Sequence, residues 1–446
     1  MFVLRVVGRV ELTTPMETGS MLNTLARACF AFVLIAVGPT DANAQPGRPD
    51  SAIAISLPEA LSRTLAENAT LRALGFDLPA AEGRLLQSTF KPSPEIHVAL
   101  QDVLGTDSYR GVRSAETTIT LDWVLERGIR ERIVDASRAQ IDVTTAQMET
   151  IRLDVAAETA RRYIECLVFQ ARHTNAERGV ELARDAVDAV RRRVDASRAP
   201  EAELSRAQAE LARAELRLED YEHELMSAYH RLSAQWGITE PEFSSVAGNL
   251  SGMPARDPFE ALLARVEQNP DLAAFVSQSR LAEAELNLAR ARSRPAWTVS
   301  GGLRRIESSD DWAVVGGVTI PLRMGNQNQG RVSEARATLD QIEAAAEAAR
   351  VQIETELFVL YQELVHNIEL ADRLETDVAP RLEAALTDMR RAFDLGRSSY
   401  LEFRAVQTEL LDVAYEILDA HADAYRLSIE IERLTGESLS SSPNSE

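Results

Sequence analysis

The most constraining feature of this chain is an internal duplication: two halves of the sequence follow one pattern, so the fold must be built twice. Glu59-Ala60-Leu61 recurs as Glu260-Ala261-Leu262, an offset of 201 residues, and Asn68, Ala81-Glu82 and Pro94 recur at the same offset as Asn269, Ala282-Glu283 and Pro295. Further on the offset is 199: Arg132-Ile133 with Arg331-Val332, Ala136 with Ala335, Gln208 with Gln407, Glu210-Leu211 with Glu409-Leu410, and Gly237 with Gly436. The change of two residues falls between Pro94 and Arg132, where a loop absorbs it.

Each half reads as a helical stretch (57–90 and 257–293), two short alternating segments, a very long helical stretch (130–193 and 330–393), a break, and a last helix (200–236 and 400–435). The last helix carries a seam with apolar residues alternately three and four apart. In the first half the seam is Leu204, Ala207, Leu211, Ala214, Leu218, Tyr221, Leu225, Ala228 and Leu232. In the second it is Phe403, Val406, Leu410, Val413, Ile417, Ala420, Ala424, Leu427 and Ile431. The shared register predicts two coiled-coil hairpins. Their long arms of about 64 residues would span roughly 95 Å, far more than a globular domain needs. The breaks, Asp195-Ala196-Ser197-Arg198-Ala199-Pro200 and Asp394-Leu395-Gly396-Arg397-Ser398-Ser399, carry the stop signals Pro200 and Gly396 and predict tight tips.

The four short segments alternate with period two. Ile96, Val98 and Leu100 alternate with Glu95, His97 and Ala99, and Ile119, Leu121 and Trp123 with Thr118, Thr120 and Asp122. Trp297, Val299 and Leu303 mark the third segment, and Trp312, Val314, Val318 and Ile320 the fourth. About ten residues is the length of a tilted strand crossing a bilayer, and Trp123, Trp297 and Trp312 stand at segment ends, where an interfacial aromatic belt lies. A small soluble sheet is the alternative. Four strands cannot close a barrel, because the smallest bacterial barrels have about eight, and an open edge is forbidden in lipid. A barrel reading therefore demands strands from several chains, and three copies would give about twelve.

Export is legible near the start. Met21 opens a plausible signal, with Arg27, an apolar run from Ala28 to Val37, and the small-x-small pattern Ala42-Asn43-Ala44. The mature chain is expected to begin near Gln45, and residues 1–20 read as an upstream extension. No later segment has about 18 consecutive apolar residues. The formal net charge of −21 repels nucleic-acid phosphates, which argues against DNA or RNA as a partner. Of two cysteines, Cys29 lies in the leader, and Cys166 sits in a helical pattern as a packed thiol.

No catalytic constellation is found. The six histidines (His97, His173, His223, His230, His366 and His421) form no HExxH run, and there is no P-loop or nucleophile elbow. No cofactor and no resident metal are expected.

From Leu57 to Gly436 the chain resembles the TolC-like family of outer-membrane efflux proteins. The resemblance rests on the duplicated helix–strand–strand–long-helix–helix unit. Two stretches are similar to the cobalt–zinc–cadmium (CzcC-like) branch: Leu125-Glu126-Arg127-Gly128-Ile129-Arg130-Glu131-Arg132, and Ile320-Pro321-Leu322 followed by Asn326-Gln327-Asn328-Gln329-Gly330. The resemblance implies a mainly α fold with a β-barrel part: a long coiled-coil periplasmic tunnel plus four membrane strands per chain, three chains forming a twelve-stranded barrel. It implies an outer-membrane exit duct, not an enzyme, working with a periplasmic adaptor at the hairpin tips and an inner-membrane pump, and exporting heavy-metal cations. A multidrug or type I secretion channel is the alternative on the same architecture, and a periplasmic coiled-coil adaptor the alternative outside it. The family pattern also places a glycine at the second tip, matched by Gly396, and a carboxylate that narrows the entrance, matched by Glu402; Arg397 is a candidate latch. At the first tip Ser197 stands where the glycine is expected and Glu203 where the carboxylate is. The expected divisions are extension and signal (1–44), first helix (45–93), β-hairpin (94–123), long helical hairpin (124–250), second first helix (251–295), second β-hairpin (296–321), second helical hairpin (322–436) and a disordered tail (437–446).

Overall fold

The computed structural model describes residues 54–126, 128–294, 296–321 and 328–436. The expected leader, Arg127, Pro295, residues 322–327 of the Asn-Gln-Gly turn and the expected tail lie outside the described residues.

In chain order the elements are β1 (Ala54–Ile55), α1 (Leu57–Glu67), α2 (Ala69–Leu74), α3 (Asp77–Thr89), β2 (Glu95–Gln101), β3 (Glu116–Leu125), α4 (Ile129–Asp195), α5 (Glu201–Ser233), β4 (Ser245–Val246), α6 (Phe259–Arg265), α7 (Pro270–Ala291), β5 (Trp297–Ile306), β6 (Asp311–Thr319), α8 (Gln329–Arg373), a π-helical turn (Leu374–Val378), α9 (Ala379–Asp394) and α10 (Tyr400–Thr435). The pattern is two copies of one unit, and the fold is mainly helical with a small β part. The described residues fall into two compact units, one of strands and one of helices.

The strand unit holds most of a four-stranded sheet in the order β2-β3-β5-β6. β2 and β3 are antiparallel, and their register pairs Ile96 with Leu121 and Val98 with Ile119. The same register places Glu95 opposite Asp122, His97 opposite Thr120 and Ala99 opposite Thr118. Period-two alternation thus gives one apolar and one polar face. Ile96, Val98 and Leu100 are 72 %, 57 % and 58 % exposed in the single chain, an apolar stripe that water would not stabilise. On the polar face Arg304 of β5 reaches Glu116 at 2.9 Å and the Thr118 hydroxyl at 3.0 Å. Among the described residues β2 and β6 leave both sheet edges open.

In the helical unit the hydrophobic seam is realised at every predicted position. Each seam residue of α5 and α10 is buried or half-buried, and most intervening residues of α5 are exposed. α10 differs from α5 in burying a second stripe. Leu418, Ala422, Tyr425 and Ile429 join one core with Tyr163, Ile164, Leu167 and Leu232, whereas Ala424 and Ile431 join another with Ile353, Leu357 and Leu364. α10 is therefore the central helix of the unit, which its own heptad did not announce. Cys166 lies in the first of these cores with its thiol buried, and burial pushes that thiol well above the ordinary range, so it is a packing residue.

α4 runs unbroken for 67 residues, about 100 Å of helix. Its counterpart in the second half departs from the expected continuous helix, because the Leu374–Val378 turn separates α8 from α9. Pro380 supplies the cause. Its ring clashes with the carbonyl four residues back and it has no N–H to donate, so the local ladder widens and Ala379 N–H bonds to the Leu374 carbonyl instead. The first half carries Glu181 at the corresponding position and stays regular.

Candidate functional site

The two hairpin tips have one backbone geometry. At the second, Gly396 N–H donates to the Phe393 carbonyl (2.9 Å) and Arg397 N–H to the Ala392 carbonyl (2.8 Å). At the first, Ser197 N–H donates to Val194 (2.8 Å) and Arg198 N–H to Arg193 (2.7 Å). Both are Schellman caps, which need a left-handed residue, and Gly396 (φ 72°) and Ser197 (φ 56°) supply it. Ser197, at the position matching Gly396 in the duplicated unit, nevertheless adopts the left-handed conformation of that glycine, so the first tip keeps its shape at a local steric cost.

The tips differ in how the next helix begins. α10 opens with a capping box: Glu402 N–H donates to the Ser399 hydroxyl (3.3 Å), while the Glu402 carboxylate accepts from Ser399 N–H (2.8 Å) and the Ser399 hydroxyl (3.0 Å). Glu402 is exposed, and the Ser399 backbone N–H, then its hydroxyl, hold the carboxyl below the ordinary carboxylate range. It thus has a structural task at the start of α10. α5 opens on Pro200 without a side-chain cap, and Glu203 Oε2 is buried without a hydrogen-bond partner.

Arg397 is exposed and makes no ion pair among the described residues. The group that holds the second tip is Arg193, from the first hairpin. Its guanidinium lies 4.3 Å from the centroid of the Phe393 ring and donates to the carbonyls of Phe393 (3.4 Å) and Ser398 (3.3 Å). Phe393 stacks on Phe403 with ring centroids 5.2 Å apart, within a buried cluster that includes Tyr400, Val187, Val190 and Ala207. Further up, Arg390 meets Asp185 (3.4 Å), Arg404 meets Glu210 (3.4 Å) and Arg172 meets Asp419 (2.7 Å), each pair crossing between the hairpins. Tyr221 and Tyr415 cross as well, 6.1 Å between centroids, and burial followed by the neighbouring Tyr221 pushes the Tyr415 phenol up to about 12. Arg397 was the residue expected to latch the tip by an ion pair. Arg193 carried a signal only as an arginine four residues before the left-handed Ser197 of the opposite tip.

The three tryptophans stand near strand ends. Trp123 is close to the end of β3, Trp297 opens β5, and Trp312 is the second residue of β6 with Arg305 stacked 5.7 Å from its centroid. Trp123 and Trp312 are exposed. No helix among the described residues is long and apolar enough to cross a membrane. No group of three or more His, Cys, Asp or Glu among them is arranged to hold a metal ion.

The sequence profile of the outer membrane efflux protein family matches residues 60–238 and 264–437, both copies of the duplicated unit. The chain belongs to that family. It is a transport component of the outer membrane and not an enzyme. This outer membrane efflux protein is 27 % identical over 383 residues to the cobalt-zinc-cadmium resistance protein CzcC of Cupriavidus metallidurans, covering 86 % of this chain and 90 % of that one. It is 22 % identical to the nickel-cobalt-cadmium resistance protein NccC of Alcaligenes xylosoxydans, covering 75 % and 76 % of the two chains. Its fold matches the outer membrane protein VceC of Vibrio cholerae with a TM-score of 0.68 and 17 % identity, covering 86 % of this chain and 96 % of that one.

Proposed function

We propose that three copies of this protein form a passive exit duct for divalent heavy-metal cations, the last stage of a tripartite system whose adaptor meets the hairpin tips and whose pump sits in the inner membrane. The observation that carries the cargo is the nearly full-length similarity to a cobalt-zinc-cadmium resistance protein, reinforced by a second relative named for nickel, cobalt and cadmium. Oligomerisation is supported by the open edges of the sheet, since unpaired backbone groups in lipid cost several kcal/mol each, about 4–8 on the cyclohexane reference. On this reading the exposed Ile96, Val98 and Leu100 face lipid, and Trp123, Trp297 and Trp312 lie at the membrane interfaces.

A duct binds its cargo weakly or not at all, and the transport energy comes from the pump. The duct supplies a water-filled path and, at the entrance, a preference of sign. Three Glu402 carboxylates around a common axis would attract cations, with Gly396 setting the turn and Arg397 on the outer surface free to meet the adaptor. The test is growth of a deletion strain on graded cobalt, zinc, cadmium, copper and silver beside a panel of hydrophobic drugs. Sensitivity to divalent metals alone is expected. Sensitivity to drugs alone would overturn the cargo.

A further inference from the structure

His421 lies at the level of the π-helical turn and is 2 % exposed. Its Nδ1–H donates to the Leu250 carbonyl, in the segment that joins the two halves. Its Nε2 lies 3.0 Å from Oε1 of Glu375, the second residue of that turn, without the alignment of a hydrogen bond. With Nδ1 engaged by the carbonyl, Nε2 is left to meet the carboxylate, and the contact is attractive when Nε2 carries a proton. One imidazole therefore touches three parts of the chain: α10, the connector and the turn between α8 and α9.

The first half offers an internal comparison. The position matching His421 is Glu222, which faces Nε2 of His173 on α4 at 3.6 Å. Each hairpin thus carries a histidine–glutamate contact at this height, with the residue types exchanged between the helices. The first contact is longer and more exposed and crosses an unbroken helix. The second is buried on its histidine side and meets the one place where the long helix has lost its regular ladder. A π-helical turn followed by a proline leaves a helix free to bend there.

We propose that Leu374–Val378 is the hinge of the second hairpin and that the Glu375–His421–Leu250 chain is the brace that fixes its angle, making His421 a positioning residue for the tip that carries Glu402. The hinge concerns this chain's own backbone. It rests on the duct reading only for what movement of the tip accomplishes.

The experiment is hydrogen exchange by mass spectrometry on the full-length protein in detergent, at one pH for all variants, with melting followed in parallel. Glu375→Ala is expected to speed exchange over 379–398 at least about fivefold, or about 1 kcal/mol of local opening, with residues 175–195 and the melting temperature unchanged. Alanine is the better helix former, so intrinsic propensity alone would slow exchange, the opposite sign. Glu375→Gln keeps the size but not the charge of the side chain and is expected to speed exchange nearly as much as Glu375→Ala, since the contact is an ion pair without hydrogen-bond alignment. Glu222→Ala is expected to leave 175–195 unchanged, because α4 has no hinge to release. Wild-type exchange over 379–398 in Glu375→Ala, or an equal rise over 175–195, would overturn the proposal. Channel conductance of the same variants reports on the duct separately, so a loss of one reading does not disguise a loss of the other.

Discussion

Asn68 and Asn269 make the same three hydrogen bonds in the two halves of the chain. Asn68 Nδ2–H donates to the Gln235 carbonyl (2.7 Å), and its Oδ1 accepts from Thr70 N–H (2.9 Å) and Leu71 N–H (3.1 Å). Asn269 donates to the Leu434 carbonyl (2.8 Å) and accepts from Asp271 N–H (2.8 Å) and Leu272 N–H (3.0 Å). Each asparagine caps the start of one helix and ties it to the end of the last helix of its own half. Since Asn269 is fully buried, its replacement by Ala strands a carbonyl and two helix N–H groups. Loss of about 2–4 kcal/mol is expected for Asn269→Ala, the sum of a lost N-cap and a lost buried hydrogen bond. Asn68→Ala should lose somewhat less. Urea unfolding followed by helical circular dichroism measures both, and changes below about 0.5 kcal/mol would show that the caps are replaceable.

The tips allow a paired test. Gly396→Ala puts a side chain into the left-handed region and is expected to cost about 1 kcal/mol, read as faster hydrogen exchange at the second tip. Ser197→Gly relieves the same conformation at the first tip, and its change should have the opposite sign or be near zero, because the unfolded chain gains freedom. Equal destabilisation by both would contradict the Schellman geometry.

Gly302 tests the sheet. A Cβ there would run into the Ile119 carbonyl oxygen and come within 2.7 Å of the Thr120 Cα, both on the backbone of β3, so the neighbour cannot yield cheaply. Gly302→Val is expected to abolish the heat-modifiable oligomer in the outer-membrane fraction, while Gly301→Val, at a position with open space, leaves it in place. Wild-type assembly of Gly302→Val would mean that β3 and β5 do not approach this closely in the membrane.

The duplication, the helical hairpins, the coiled-coil register and the alternation of the strands were all legible because each depends on residue type at a regular spacing. Contacts between the hairpins were not. Arg193 is one of three consecutive arginines, and only the folded positions of Phe393 and Ser398 distinguish it from Arg191 and Arg192. Likewise α10 shows one heptad seam in sequence but buries two faces, because the second is set by which helices surround it. The helix break at Leu374–Val378 was marked by Pro380, yet the surrounding apolar period continued through it and hid the boundary. Glu402 was singled out only by the family resemblance, and its reciprocal bond with Ser399 could have been read from the Ser-x-x-Glu spacing.

Arg193 and Arg397 separate a latch from a bystander. Arg193→Ala removes two hydrogen bonds and a cation–π contact at the second tip, and about 1–3 kcal/mol of tip anchoring is expected to go with it. In planar bilayers this should appear as a higher open probability. Arg193→Lys should not restore the wild-type value, since an ammonium lacks the planar fork. Arg397→Ala should conduct as wild type. The reverse ranking would return the latch to Arg397.

Glu402 has two readings that acid separates. Because Ser399 holds its carboxyl below the ordinary range, the contribution of the capping box to stability is complete above the pH at which an unfolded glutamate titrates. That contribution is lost as pH falls through the lowered folded value. On the proposed entrance reading the cap favours the charged carboxylate while three like charges on one axis oppose it, so cation preference measured by reversal potential should hold through mild acid where the cap outweighs that repulsion. Glu402→Ala should reduce cation preference at neutral pH, and Ser399→Ala, which weakens the cap but leaves the charge, should not. If Ser399→Ala and Glu402→Ala lower the preference equally, the carboxylate acts through the geometry of the tip and not through its charge. If neither alters it, Glu402 is a helix cap alone, and the sign preference of the duct must be set elsewhere along the path.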